Sequence, residues 1–495
     1  MRSDPARAWV RTGAMLCAVG AIAGLRLVAL DSDAYPRLSW SSGLLTDEGF
    51  YIHNARSRVL YGVERTDDFH NALLMPLLHA VQVGVFRAFG VGAVPARMIS
   101  VVASLLAVGL FYGALRRAFG PRVAGVGALF LGLDHVYLLY NRMALMDTPA
   151  SLLLIAAFSA FVCGFRRTPS GPEAVSSSSA FFLCGLLLCA AYATRTLTLF
   201  ALPIPLYVLW RLRAWRALLM ASLGMGAGLL VYGMCCYWPN RVEIERMGRY
   251  YLHAQLLPHS LTDLRNNLGT ALFGLRPGLF PYLLGHSPVL VGLAIWFCLR
   301  EGRDPERRAC VTFLHVWLGL PLVLLAMASY APSRYYVLFY PALAALAALG
   351  WERVACAGAA GTRPLRAGRI LLGTWAVINT LWIADWLGHL RYTQRDADRW
   401  LATVLPAGSV VLGDAAPGLC MNNRLHAVPV LPGLCNDTAP VERFAPRALV
   451  ILNGAKNVAW WRERYPEILT PANRIRLFPS LVRFEVAVYR VPEQQ

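Results

Sequence analysis

Charge is scarce in this sequence, and acidic charge most of all. Only 15% of its 495 residues are charged, with 28 Asp and Glu against 47 Lys and Arg. A soluble chain of that length needs far more charge to cover its surface, so a soluble enzyme is excluded. No His or Cys spacing of zinc type occurs, and no segment repeats along the chain. A small-residue cleavage site is also missing after the first apolar run, about Trp9 to Leu30. That run reads as an anchored helix and not as a removed leader. The glycine-rich "GMGAGLL" (224–230) lies inside an apolar run, where Gly224 and Gly228 make a small-xxx-small packing face and not a phosphate loop.

What the chain has instead is apolar sequence: 57% of residues are hydrophobic and the mean hydropathy is +0.47. Runs of roughly 20 residues, enough to cross a bilayer core of about 30 Å, recur along most of it. The expectation is a polytopic membrane protein. The net charge of +19 is almost entirely arginine. It collects between apolar runs, where it orients membrane helices, and needs no nucleic acid to explain it. Most of the 11 Cys sit in or beside those runs as small hydrophobes. Cys420 and Cys435 alone fall in polar sequence, and a disulfide between them stays open.

Basic clusters set the topology. Arg2, Arg7 and Arg11 precede the first run, which places the N-terminus in the cytoplasm. "RRAFGPR" (116–122), "FRRTPSGPEAVSSSS" (165–179), "RLRAWR" (211–216), "REGRDPERR" (300–308) and "GTRPLRAGR" (361–369) join it there. Even numbers of crossings between them give about eleven spans and an external C-terminus. Residues 70–90 contain Pro76, two His, Gln82 and Arg87, and read as a helix in the outer interface. Together with "DEGFYIHNARSRVLYG" (47–62) they make a long first external loop, residues 31–93, carrying two interfacial helices. Thr46 is the expected N-cap of the first and Gly62 its stop. Residues 238–275 form a polar, aromatic external loop. The transmembrane module ends near residue 390. In 391–495, "ADRWLATVL" reads as a helix and "SVVLGD", "RALVIL" and "VRFEVAVYRV" as strands, giving a small external α/β domain.

Two acidic features stand at the external face. The doublet Asp47-Glu48 opens the first loop helix, where the helix dipole alone would favour it. Asp147 lies in the short turn of "YNRMALMDTPASLLL", where a carboxylate is expensive to bury and is kept for pairing or function. A salt bridge to Arg142, or capping of the helix that follows, would also explain it. The cations on the same side are Arg142, Arg195 in "ATRTLTL", and Arg334 in "APSRYY", with Tyr335 beside it. Snorkelling within an aromatic belt is the plainer account of Arg334.

In their order and spacing these features resemble the GT-C superfamily of polytopic glycosyltransferases. The nearer resemblance is to the branch holding protein O-mannosyltransferases and the lipid A aminoarabinose transferase. The stretches that carry it are "DEGFYIHNARSRVLYG", "FHNALLMPLLHAVQVGVFRAFGVGAVPARMISVVASLL", "LFLGLDHVYLLYNRMALMDTPASLLL", "GLLLCAAYATRTLTLFALPIPLYVL" and "SRYYVLFYPALAALAAL", over roughly residues 8 to 350. Departures are His70-Asn71-Ala72-Leu73 where the family has a basic residue or His followed by Pro-Pro-Leu, and Arg195 where it often has Lys.

The resemblance implies sugar transfer from a polyprenyl-phosphate carrier to a lipid, glycan or protein acceptor. The reaction would occur on the outer side of a plasma (inner) membrane, by a single inverting displacement. It implies Asp47 as the base, with Glu48 positioning the sugar or acceptor and Asp147 as the third acid of the site. A growing phosphate charge suits arginine, whose planar fork binds two oxygens. Arg195, Arg334 and Arg142, with Tyr335, are the expected donor-phosphate residues, and His70 and Tyr51 the expected substrate contacts. No cofactor is certain; a divalent metal held by Asp47, Glu48, Asp147 and His70 is a possibility the residue types leave open. A transporter or flippase is the rival reading, and would call for charges at mid-bilayer and repeated halves.

Overall fold

The computed structural model describes residues 5–62, 71–168, 171–251, 258–274, 278–300, 308–356 and 363–492. Every apolar run expected to span is helical, from Pro5–Leu27 to Arg363–Gly388. The stretches Ala93–Phe119, Trp215–Arg249, Arg308–Met327 and Arg366–Val404 are each long and apolar enough to cross a membrane. Leu279–His286 and Pro288–Arg300 are long and apolar enough only when taken together, and meet at a bend of 108°, the geometry of a broken span or a re-entrant loop. Five shorter apolar helices, among them Pro121–Leu133 and Asp147–Cys163, lie in the same bundle. At 1.5 Å per residue a 13-residue helix reaches only about 20 Å. The protein is thus a multi-pass helical bundle. The segment from 238 onward, expected as a loop, is helical over Arg241–Tyr251 and Leu261–Phe273.

Small residues let the helices close up. A Cβ on Gly224 would meet the Phe182 carbonyl oxygen at 2.0 Å, and one on Gly228 would meet Cys189 Cβ at 2.5 Å. The expected small-residue face therefore packs against the helix Ser178–Thr194.

The stretch expected as the first external loop carries, among its described residues, helices Asp47–Tyr61, Asn71–Leu74 and Pro76–Phe89. Thr46 occupies the N-cap position of the first, but its hydroxyl donates to the Gly43 carbonyl (3.0 Å) and caps nothing. Gly62 ends it in the left-handed conformation, φ 76°. The sequence suggests a helix with one polar face in water. Instead Glu48 to Ser57 are all buried, His53, Asn54 and Arg56 included. The cause is the C-terminal domain, which lies on top. Arg56 donates to the carbonyls of Asn423 and Leu425, each at 2.8 Å. Gly49 sits so close to Gly418 that a Cβ there would stand 3.0 Å from the Gly418 nitrogen.

After Gly388 the chain leaves the bundle and builds that domain. A hairpin, β1 (Phe165–Thr168) and β2 (Gly171–Val175), stands apart between helices. The domain's five strands are β3 (Val410–Leu412), β4 (His426–Val428), β5 (Ala448–Leu452), β6 (Arg474–Leu481) and β7 (Phe484–Arg490). Their order is β4-β3-β5-β7-β6, with β3 parallel to β4 and β5 and the other pairs antiparallel. Both faces are covered by apolar clusters, so β5 reads as a continuous apolar run. One of those clusters includes Leu45 of the first loop, which seats the domain on the bundle. Cys420 and Cys435 are buried and unbridged.

Candidate active site

Two buried ion pairs meet beneath the C-terminal domain. Asp47, in the first turn of its helix, places Oδ2 2.6 Å from a terminal nitrogen of Arg334. Asp147, opening the helix Asp147–Cys163, places Oδ1 3.2 Å from Nε of Arg195. Both guanidinium groups lie over the ring of Tyr335, at 4.7 Å for Arg195 and 5.0 Å for Arg334. The electrostatic neighbours of Asp147 are Arg195, Arg334 and Asp47, so the two pairs form one cluster. Tyr51, one helical turn after Asp47, completes it: Asp47, Arg334, Arg195 and Tyr335 all bear on its hydroxyl. Burial, and then the Asp47 charge, hold that phenol above its usual range. Of the four expected site residues Asp47, Asp147, Arg195 and Arg334, only Asp47 opens to solvent, 22% exposed against 1% for Asp147.

Residues not anticipated from the sequence hold Arg334 in place. Its terminal nitrogen also donates to the Ser41 hydroxyl and, at 3.4 Å, to that of Tyr330. Beside it the Ser333 and Tyr140 hydroxyls share a hydrogen bond of 2.7 Å, and Tyr140 accepts from the Ser39 amide at 2.9 Å. The loop before Asp47 and the turn containing Arg334 are thus joined by side chains from three segments.

Two expected residues are placed elsewhere. Glu48, one step around the helix from Asp47, is wholly buried and forms a two-pronged pair with Arg97, at 2.9 and 2.8 Å. It also accepts the Ala144 amide at 2.6 Å. Arg97 in turn donates to the carbonyls of Leu30 (2.8 Å) and Ser32 (2.6 Å). Among the described residues Arg142 pairs with no carboxylate, Asp147 included. Its two terminal nitrogens donate to the carbonyls of Leu25, Arg26, Val28 and Ala29 at 2.5–3.0 Å, closing the end of the helix Pro5–Leu27. Its guanidinium also lies 4.4 Å over Trp386. His70 falls outside the described residues.

The cluster can bind an anion and accept a proton. Two arginines lie over the one Tyr335 ring, and Asp147 is buried against one of them. As metal ligands the carboxylates fit poorly, since each is engaged by an arginine: Asp47 by Arg334, Glu48 by Arg97, Asp147 by Arg195. Among the described residues no three His, Cys, Asp or Glu side chains are grouped to hold a metal ion.

The family resemblance expected from the sequence is borne out. Residues 75–238 match the family described as "Dolichyl-phosphate-mannose-protein mannosyltransferase". The fold is that of ArnT from Cupriavidus metallidurans, solved bound to undecaprenyl phosphate. The two share a TM-score of 0.64 and 16% identity over 97% of this chain and 98% of that one. The archaeal oligosaccharyltransferase AglB from Archaeoglobus fulgidus, solved with an inhibitory peptide and a dolichol-phosphate, matches with TM-score 0.55 and 11% identity. That match covers 90% of this chain and 70% of AglB. No curated protein matches the sequence.

Proposed function

We propose that this multi-pass membrane protein is a glycosyltransferase that moves a sugar from a polyprenyl-phosphate carrier to a hydroxyl or amine acceptor. The reaction is placed at the extracytoplasmic face of the plasma (inner) membrane, with the N-terminus cytoplasmic. The observation that carries the reading is the meeting of Asp47–Arg334 and Asp147–Arg195 around Tyr335. The family match over 75–238 and the ArnT-like fold support the same chemistry.

In this reading the donor phosphate lies between Arg334 and Arg195. There its growing negative charge is stabilised by two guanidinium forks already fixed by packing. Asp147 holds Arg195 in orientation. Phosphate binding to Arg334 competes with Asp47 for the same nitrogens and frees that carboxylate. Asp47, the acid open to solvent, then takes the proton of the acceptor as its oxygen or nitrogen attacks the anomeric carbon. The carbon–oxygen bond to phosphate breaks, the polyprenyl phosphate leaves, and the anomeric centre inverts. Tyr51 sits where it can contact the sugar or the phosphate. Glu48 takes a supporting part instead of a substrate contact: with Arg97 it fixes the loop from which Asp47 is presented. Arg142 likewise anchors the first helix and not the donor.

The test is mass spectrometry of envelope lipids, glycans and proteins from cells with the chain, without it, and with Asp47→Asn, Arg334→Ala or Asp147→Asn at equal protein level. One sugar-bearing species should vanish without the chain and in the variants. If no species changes, the chain is not a transferase, and the transporter reading takes over.

A further inference from the structure

We propose that Arg483, in the turn between β6 and β7, is a positioning residue for Arg334, so that the C-terminal domain is part of the donor site and not only a cover. The inference rests on the donor-phosphate reading of Arg334 given above. Arg483 is remote in sequence from every residue of the cluster and carries none of the sequence features that single those residues out. Its two terminal nitrogens donate to the main-chain carbonyls of Leu38 (3.1 Å) and Ser39 (3.0 Å). A guanidinium committed to two peptide carbonyls, with no carboxylate paired to it among the described residues, fixes a main-chain position and balances no charge.

That main chain leads directly to the site. The Ser39 amide donates to Tyr140 (2.9 Å), which shares a hydrogen bond with Ser333, the residue before Arg334. Two residues further, the Ser41 hydroxyl accepts from Arg334 itself. Nε of Arg334 is buried without a hydrogen-bond partner, so the orientation of its fork depends on what its terminal nitrogens meet: Ser41, Tyr330 and Asp47. Arg483 holds residues 38 and 39 from above and Tyr140 holds residue 39 from the bundle. Loss of the upper hold leaves Ser41 free to drift.

The turn itself is built for this contact. Val482 has φ 60°, a left-handed conformation that a β-branched residue rarely adopts. Its amide donates to Thr393 Oγ1 (3.3 Å), whose hydroxyl donates to Asp33 of the same loop at 2.7 Å. Asp33 also accepts the amides of Thr393 (2.9 Å) and Gln394 (3.1 Å). Residues 33 to 41 are therefore tied to the domain at two points, one at each end of the stretch that supports Arg334.

A binding cycle with the full chain in detergent micelles tests this, using undecaprenyl phosphate as probe. Arg483→Ala and Ser41→Ala should each weaken binding about tenfold, and the double variant no more than the weaker single, because both act through one contact. Arg483→Lys, which keeps the charge but loses the planar fork that spans the two carbonyls, should fall between, and it enters the cycle if Arg483→Ala does not accumulate. Unfolding temperatures of all variants are recorded in parallel. A purely structural docking role would lower those temperatures, and its effects would multiply with that of Ser41→Ala. Parent-like binding by Arg483→Ala, or losses that multiply, would overturn the proposal. Arg334→Ala separates the two levels: if it binds the probe like the parent, the donor-site reading fails, and if it alone loses binding, only the role of Arg483 does.

Discussion

Asp47 and Arg334 touch at 2.6 Å although one opens the helix Asp47–Tyr61 and the other lies in the turn before the helix Tyr340–Cys356. Their contact closes the bundle on itself at one end. It also puts an acid and the guanidinium fork proposed to hold the donor phosphate within reach of a single ligand, and that proposal sets what substitutions there should do.

Replacing the Asp47 carboxylate by an amide keeps its shape and removes its capacity to take a proton. Asp47→Asn should lower transfer by about 10²- to 10⁴-fold at unchanged protein level. The measurement is turnover of the sugar-bearing product found by mass spectrometry. Activity within twofold of the parent would remove Asp47 from the chemistry.

Arg334→Lys and Arg195→Lys preserve charge but lose the planar fork and its stacking on Tyr335. Each should weaken undecaprenyl phosphate binding by roughly tenfold or more, equivalent to one charge-assisted hydrogen bond. Calorimetric or fluorescence titration reads this directly. Equal affinity for lysine and arginine would point to simple charge attraction.

Glu48→Ala leaves Arg97 buried with carbonyls but without its paired carboxylate. The expected loss is about 3–5 kcal/mol of stability. It should appear as a large drop in the detergent unfolding temperature and in accumulation, unlike Asp47→Asn, which should unfold near the parent temperature. A normally stable Glu48→Ala protein would argue against the supporting role.

Gly49→Ala adds a methyl where a Cβ would meet the Leu44 carbonyl oxygen at 2.2 Å and the Gly418 nitrogen at 3.0 Å. Backbone atoms cannot turn aside as side chains do. The variant should lose on the order of 1–3 kcal/mol and loosen the seat of the C-terminal domain. Faster amide exchange across 416–421 would register it, and unchanged exchange would contradict it.

The domain also carries a pH dependence. Asp414 is buried against the Leu452 amide and Asn457, and burial pushes its carboxyl up to about 7. Asp398, buried beside Asn422 and Asn423, is pushed up to about 6 for the same reason. Between the unfolded value near 4 and these values the folded state binds more protons, so stability falls as pH rises through that window. Exchange protection of β3 and β5 should decline from about pH 4 to 7, and Asp414→Asn should flatten the slope. A rising profile over that range would reverse the sign of the argument.

The helical bundle was legible because long apolar runs recur along the chain, although several of their helices are shorter than a bilayer's depth, and the charged cluster residues because ionisable groups are rare in such sequence. Asp47, Asp147, Arg195 and Arg334 stood out on that ground, Tyr335 as the neighbour of Arg334 and Tyr51 through the family resemblance, and the structure brings them together. Glu48 was grouped with Asp47 by adjacency, yet neighbours in a helix point about 100° apart. The second acid therefore faces Arg97 instead of Arg334. Arg97 went unnoticed inside an apolar helix, though a cation there asks for a partner. Ser41 and Arg483 leave no local trace, since their partners lie hundreds of residues away. In the domain, β4 is only three residues long. Pro479 and alternating arginines disguised β6, which the structure places at the sheet edge, where proline is tolerated.

The turn 141–147 has a mechanical side. At its start Arg142 grips the last carbonyls of the first helix, and at its end Asp147 meets Arg195. A tilt of that helix in the bilayer would pull on both acids at once, through the turn on Asp147 and through the adjoining loop on Asp47.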